Sequence, residues 1–250
     1  MRPTDQRSTE RRRRTDQEST KGTAVRPRLN KTRKTGSRGL TADDYPRARQ
    51  HLMRADPMLA AIIRQVGPCR MAERQHRDHL TTLVAAIVNQ QLSTKAAATI
   101  FGRFVALFPD QAITGADGIA ALDDQQLRGV GLSGQKVGYL RDLCARIQDG
   151  RLRLDELDVI DDEAVVERLT AVKGFGRWTA EMFLIFRLQR PDVLPVGDLG
   201  IVKAVQRLYR LRKRPDAKRL AAIGEKWRPY RSVASWYLWR SLTLEVFPQS

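Results

Sequence analysis

Two glycines and an aspartate are where this sequence first becomes specific. In "VKGFGRWTAEMF", Val172 to Phe183, Gly174 and Gly176 flank a single aromatic residue, and an Arg-Trp pair follows at once. A tight turn between two helices needs one glycine; the second bares the backbone where the next helix begins. The first turn of a helix carries unpaired N–H groups and a partial positive charge, so a phosphate is its natural partner, and glycines remove the side chains that would hold a phosphodiester away. Asp198, within "LPVGDLGI" from Leu194 to Ile201, lies about one helix downstream. On position alone its carboxylate reads as an N-cap, worth about 1 kcal/mol.

Charge supports a polyanionic partner. The 250 residues carry 45 Lys+Arg against 28 Asp+Glu, a net charge of +17 and a pI near 10.7. Such a balance suits chains that work on phosphate backbones. Over half of the excess lies in residues 1–40, which hold 13 Lys+Arg and 4 Asp+Glu and almost no apolar residues. Residues 1–42 are therefore expected to be a disordered basic tail, too acidic in places for a transit peptide. No apolar run approaches a membrane span. Two cysteines, Cys69 and Cys144, exclude by count a disulfide framework, a zinc site and a cysteine-ligated iron–sulfur cluster.

The elements that must position the glycines and the aspartate are helical. No sustained alternation of period two occurs after residue 43, so the expected fold class is all-α over residues 43–250. Asp56 before Pro57 opens a helix that ends near Gly67. Leu80, Leu83, Val84, Ile87 and Val88 share one helical face that runs into "NQQLS", Asn89 to Ser93. Ser93, Asp123 or Asp124, and Asp161 or Asp162 read as further helix starts. "RGVGLSGQK", Arg128 to Lys136, is a second glycine-rich turn before a helix. "RWTAEMFLIFRL" reads as a buried helix, and Pro229 to Leu244 as the last one.

Leu169, Val172, Gly174 and Gly176 form an L-x-x-V-x-G-x-G pattern that resembles the hairpin of helix-hairpin-helix DNA-binding proteins, with the whole motif at about residues 162–188. Together with "VNQQLSTKAA", "RPDVLPVGDLGI" and "WRPYRSVASWYLWR", in that order over Leu80 to Arg240, it is similar to the helix-hairpin-helix superfamily of base-excision DNA glycosylases, and within it to the DNA-3-methyladenine glycosylase II branch. The resemblance implies a two-lobed helical fold with DNA bound in the cleft between lobes, and Asp198 as the catalytic carboxylate. Cleaving the bond between base and deoxyribose builds positive charge on the sugar, which a fixed carboxylate stabilises. An alkylated purine already carries positive charge, so it leaves without a strong general acid, and no paired carboxylate is assigned despite the nearby Glu181.

The target base must leave the stack, which requires a pocket and a filler for the gap. Trp178 aligns with an aromatic that the family places at its base pocket; Trp236 and Tyr237 are further pocket candidates, whereas Trp239 reads as core. Gln90, Gln91 and Leu92 resemble the wedge loop, with either Gln91 or Leu92 entering the gap. Gly174, Phe175, Gly176, Arg177, Thr179 and Lys136 complete the expected DNA-binding set. In relatives that also cut the strand, a lysine stands where this chain has Trp178, so the resemblance implies a monofunctional enzyme that leaves an abasic site.

The resemblance further implies no catalytic cofactor and no iron–sulfur cluster, with a structural monovalent cation at hairpin carbonyls such as that of Val172. Double-stranded DNA with damaged bases is the expected partner of a monomer, in the bacterial cytoplasm with the nucleoid or in a eukaryotic nucleus. Two rival readings remain. One is a non-catalytic helix-hairpin-helix DNA-binding module; the other is a glycosylase of the same fold acting on oxidised or mismatched bases.

Overall fold

N-caps divide the chain. In the computed structural model, which describes residues 38–73 and 78–243, Asp56 accepts from the N–H groups of Met58 and Leu59, and side chains cap the helices that follow Asp78, Ser93, Asp123, Ser133, Asp161, Asp198 and Asp216. Each such bond satisfies a donor that the helix start leaves unpaired. Asp123 and Gln126 form a reciprocal capping box. The resulting helices are α1 (Asp44–Ala55), α2 (Pro57–Val66), α3 (His79–Asn89), α4 (Thr94–Val105), α5 (Ala116–Ala121), α6 (Asp124–Gly129), α7 (Gly134–Gln148), α8 (Asp162–Thr170), α9 (Arg177–Phe186), α10 (Leu199–Leu208), α11 (Ala217–Gly224) and α12 (Arg231–Thr243). Among the described residues there is no strand, and no helix is long and apolar enough to cross a membrane.

The strongest helix contacts fall into two groups, as expected of two lobes. Helices α3 to α9 pack on one another, centred on α3 and α7. Helices α1 and α2 pack instead with α10 and α12, so this second group is built from both ends of the chain. Helix α12 is enclosed almost all round, with every residue from Ser232 to Leu238 buried. Ser232 anchors its first turn: its hydroxyl donates to the Arg190 carbonyl at 2.6 Å and accepts from the Val193 N–H at 2.9 Å. Asp192 adds an ion pair to Arg231 at 2.7 Å. These bonds fix the non-helical stretch that leads to Asp198.

Asp56 does more than cap α2. Fully buried, it accepts from the Tyr209 hydroxyl and from the Trp227 indole N–H at 2.7 Å, and lies 3.3 Å from the Lys226 ammonium. It thereby ties α2 to the end of α10 and to the turn before α12. Burial alone would raise the Asp56 pKa, but the donors outweigh it and the net shift is downward.

Most of the expected basic tail, residues 1–37, lies outside the described residues. Its expected boundary at residue 42 moves, because Leu40 is buried and its N–H donates to the Gln189 carbonyl at 2.8 Å. One apolar residue among charged ones was too weak a periodic signal to mark that anchor.

Candidate active site and nucleic-acid interface

The hairpin between α8 and α9 is built as its pattern requires. Leu169 and Val172 are buried anchors, and Gly174 has φ +83°. A Cβ there would lie 2.3 Å from the Tyr139 ring, so the position is closed to side chains on two counts. Helix α9 then starts at Gly176 with no side-chain cap, unlike the eight helices above. Its first-turn N–H groups are left for an outside acceptor.

Two residues expected to contact DNA in this hairpin have partners within the protein. Phe175 is buried, because the residue between the two glycines turns inward as a core anchor. Arg177 is committed to carboxylates: its guanidinium forks onto Glu163 at 2.6 and 2.9 Å, and its Nε donates to Glu181 at 3.2 Å. Burial pushes the Glu181 carboxyl above its ordinary pKa, and its hydrogen bond goes to Arg177. Thr179 lines the cavity described below.

Lys136 is also diverted. Its ammonium donates to the carbonyls of Val88 and Gln90 at 2.8 Å each, closing the C-terminus of α3, and its burial lowers its pKa. Gln90 in turn donates through Nε2 to the Gly174 carbonyl at 2.8 Å. The "NQQLS" loop is thus braced from α7 and from the hairpin at once. At its tip Gln91 is exposed with φ +57°, a strained conformation for a residue with a side chain, and Leu92 is exposed beside it.

Asp198 is held from three sides. Its Oδ1 accepts from the Ile201 N–H at 2.8 Å and the Trp239 indole N–H at 2.9 Å; its Oδ2 accepts from the Trp178 indole N–H at 2.7 Å. The N-cap expected from position is therefore real, and occupies only part of the carboxylate. Gly200 gives Trp239 its approach, since a Cβ there would stand 3.0 Å from Asp198 Oδ1 and 3.1 Å from the Trp239 ring.

Trp239, expected in the core, is thus at the carboxylate, while the neighbouring pocket candidates are in the core. Tyr237 is fully buried with its hydroxyl donating to the Gly67 carbonyl at 3.0 Å, and Trp236 is buried edge-on against it, 5.0 Å between centroids. Helix α12 has no single apolar stripe, so sequence periodicity could not choose among its three aromatics.

A cavity of about 500 Å³ opens between α3 and α9, within the size range of small-ligand sites. Thr82, Ala86 and Asn89 line it from α3, and Trp178, Met182, Phe183 and Phe186 from α9, with Gln90, Gln91 and Arg187 from the segments that follow these helices. Trp178 therefore borders the cavity and touches Asp198, and Phe186 stacks at 5.6 Å on Trp239. The lining set beyond Trp178 and the loop was not singled out in the sequence; a cavity wall shared by two helices leaves no local pattern. Among the described residues, three of the five large exposed apolar side chains rim this region: Leu92, Trp178 at 52% exposure and Leu199 at 70%. Such a rim beside a carboxylate marks a face that meets a partner.

A superfamily model described as HhH-GPD superfamily base excision DNA repair protein matches residues 84–229, which span the loop, the hairpin and Asp198. DNA-3-methyladenine glycosylase 1 of Schizosaccharomyces pombe is 34% identical over 202 residues, covering 79% of this chain and 88% of that protein. The structure of a Schizosaccharomyces pombe 3-methyladenine DNA glycosylase in complex with abasic DNA superposes with a TM-score of 0.71 at 32% identity, over 81% of this chain and all of that one. A DNA-3-methyladenine glycosidase from Bacillus halodurans superposes with a TM-score of 0.70 at 37% identity, over 80% and 91% of the two chains. With its hairpin, loop and aspartate all inside the matched span, the chain belongs to the HhH-GPD superfamily of base excision DNA repair proteins.

Proposed function

We propose that this protein is a DNA glycosylase that flips alkylated purines out of duplex DNA and hydrolyses their N-glycosidic bond. The observation that carries the reading is the Asp198 carboxylate clamped by Ile201, Trp178 and Trp239 at the edge of an aromatic-walled cavity. The uncapped start of α9 takes a phosphate on its N–H groups, and this positions the backbone without reading sequence. The strained tip at Gln91 enters the gap that the flipped nucleotide leaves, with Leu92 against the stack. The base enters the cavity past Trp178, whose ring gives it a face.

As the C1′–N bond breaks, the bonding pair leaves with the purine and the sugar develops oxocarbenium character beside the Asp198 carboxylate. A positioned water adds to C1′ and loses its proton, leaving an abasic site. The hydrogen bonds from the two indoles fix the carboxylate beforehand, so its field needs no reorganisation as charge develops. With Trp178 in the place where strand-cutting relatives have a lysine, no amine is set to attack the sugar, and the reaction ends at hydrolysis. The Val172 carbonyl accepts from the Phe175 N–H at 3.1 Å and keeps a second lone pair. That makes it a fit ligand for a structural monovalent cation.

Incubation with methylated duplex DNA tests the reading: free methylated purines and intact abasic strands are expected, with no protein–DNA adduct after borohydride. Binding without base release would favour the non-catalytic module, and a trapped adduct would overturn the monofunctional assignment. Lys136→Met separates bracing from phosphate contact. Without its two carbonyl bonds the loop loses its support, and single-turnover excision is expected to fall about tenfold, as for lost hydrogen bonds to a charged group. The salt dependence of DNA binding should keep its slope; a slope smaller by about 0.9 would instead mark Lys136 as a phosphate ligand.

A further inference from the structure

Between α6 and α9 arginines are committed to carboxylates, Arg141 to Asp124 at 2.8 Å, Arg146 to Asp142 at 2.8 Å and Arg168 to Glu156 at 2.5 Å among them. From α10 into α11 the pattern reverses. Lys203 and Arg207 stand one turn apart on one face of α10, and Arg210 follows two residues beyond its end. Arg212, Lys213 and Arg214 make the connection to α11, and Lys218 and Arg219 lie in its first turn. All eight side chains are exposed, and Arg207 aside none forms an ion pair among the described residues. The one carboxylate in residues 202–220, Asp216, caps α11 by accepting from the Arg219 N–H at 2.7 Å. A solvated surface ordinarily mixes both signs, whereas a field of one sign steers or holds a polyanion.

This face lies away from the lesion site. Helix α10 starts at Asp198 and leads away from it, so Arg207 is about 13 Å along the axis at 1.5 Å per residue. The far end is tied through the Tyr209 hydroxyl to Asp56, and the Leu211 N–H donates to the Gln206 carbonyl at 2.9 Å, which holds the basic connection at that end. None of the large exposed apolar side chains of the described residues falls within 202–220. Protein interfaces centre on such anchors, so charge without them fits a phosphate backbone better than a protein partner. We propose that this face is a second DNA-binding site, which holds a separate, undamaged duplex while the hairpin and Asp198 engage the first. A protein held on two segments at once can pass between them without release into solution. The inference goes beyond the glycosylase reading and shares with it only DNA as the partner.

The test is capture of a fluorescent undamaged duplex by the whole chain already seated on an immobilised abasic-site duplex short enough for one protein. The native protein is expected to capture it. The triple variant Arg212→Gln, Lys213→Gln, Arg214→Gln is expected to lose most of that capture, with a salt slope smaller by about 2.7, at about 0.9 for each phosphate contact. Its affinity for the abasic-site duplex, and base release from methylated duplex, should stay native. Arg11→Gln, Arg12→Gln, Arg13→Gln removes the same charge from outside the described residues and should keep the capture. No capture by the native protein, retained capture at native affinity in the first variant, equal loss in the second, or a weaker hold on the abasic-site duplex overturns the proposal. Displacement of the captured duplex by polyglutamate more readily than by free duplex also overturns it, and assigns the face to an acidic protein. Base release bears on the glycosylase reading alone, so the two readings fail separately.

Discussion

Asp198→Asn is expected to bind duplex DNA as the native protein does and to release methylated purines roughly 10³-fold more slowly or worse, the scale of losing a preorganised charge at the reacting centre. Asparagine caps helices as well as aspartate does, so the bond from the Ile201 N–H to a side-chain oxygen survives and α10 keeps its start. What changes is charge and one donor. With the oxygen kept on the Ile201 and Trp239 donors, the amide nitrogen takes the Oδ2 position and faces the Trp178 indole N–H, which now donates to that oxygen. Two donors cannot share that contact, and the half-exposed Trp178 is the one free to swing away. Measured side by side, unchanged DNA affinity with lost release supports chemistry at Asp198. Equal rates for the two proteins would make the carboxylate a cap and nothing more.

Asp56→Ala is the largest stability change expected in the described fold. It removes one carboxylate and strands the Tyr209 hydroxyl and the Trp227 indole N–H, with two helix N–H groups besides, while the half-exposed Lys226 ammonium turns to solvent. Two buried donors left unpaired at about 1–3 kcal/mol each, with the cap lost as well, cost about 3–5 kcal/mol together. For a domain of this size that is a melting temperature lower by roughly 10 °C. The sign with pH follows from the lowered pKa of Asp56. A carboxylate depressed in the folded state contributes fully above its unfolded pKa of about 3.9, and that contribution is lost as pH falls through the folded value. The native protein should therefore lose this increment only below about pH 4, and Asp56→Ala should lack it at pH 7. Thermal melts of both proteins from pH 7 to pH 3 check this; a shift under about 2 °C at pH 7 would show that Asp56 is no more than a cap.

Caps and turns were legible because their causes are local. Asp56, Ser93, Asp123 and Asp161 each sit where a short side chain can reach the N–H groups of the next turn, and the hairpin glycines answer to a dihedral angle and a neighbouring ring. The partners that make Asp56 and Asp198 important were not legible. The bond from Asp56 to Trp227 spans 171 positions, and that from Asp198 to Trp239 spans 41 and depends on the missing side chain of Gly200. The same limit explains Lys136 and Arg177. Composition marks a basic residue near a glycine turn as a phosphate ligand, yet a carbonyl or a carboxylate brought up by the fold competes for the same charge. Helix α12 shows the converse: enclosed on nearly every side, it gives no periodic hint of which aromatic faces the site.

Because the second helical group joins α1 and α2 to α10 and α12, its core cannot close until the last helix has been synthesised. Domains emerging from a ribosome gain native packing from the N-terminal side first, so α3 to α9 have their partners while α1 and α2 still wait for theirs. The carboxylate of Asp198 and the indole of Trp239 both belong to the part completed last. A prematurely ended chain would thus carry the hairpin that grips DNA without the clamped carboxylate that cuts a glycosidic bond, and the order of synthesis itself places assembly of the reacting centre after that of the grip.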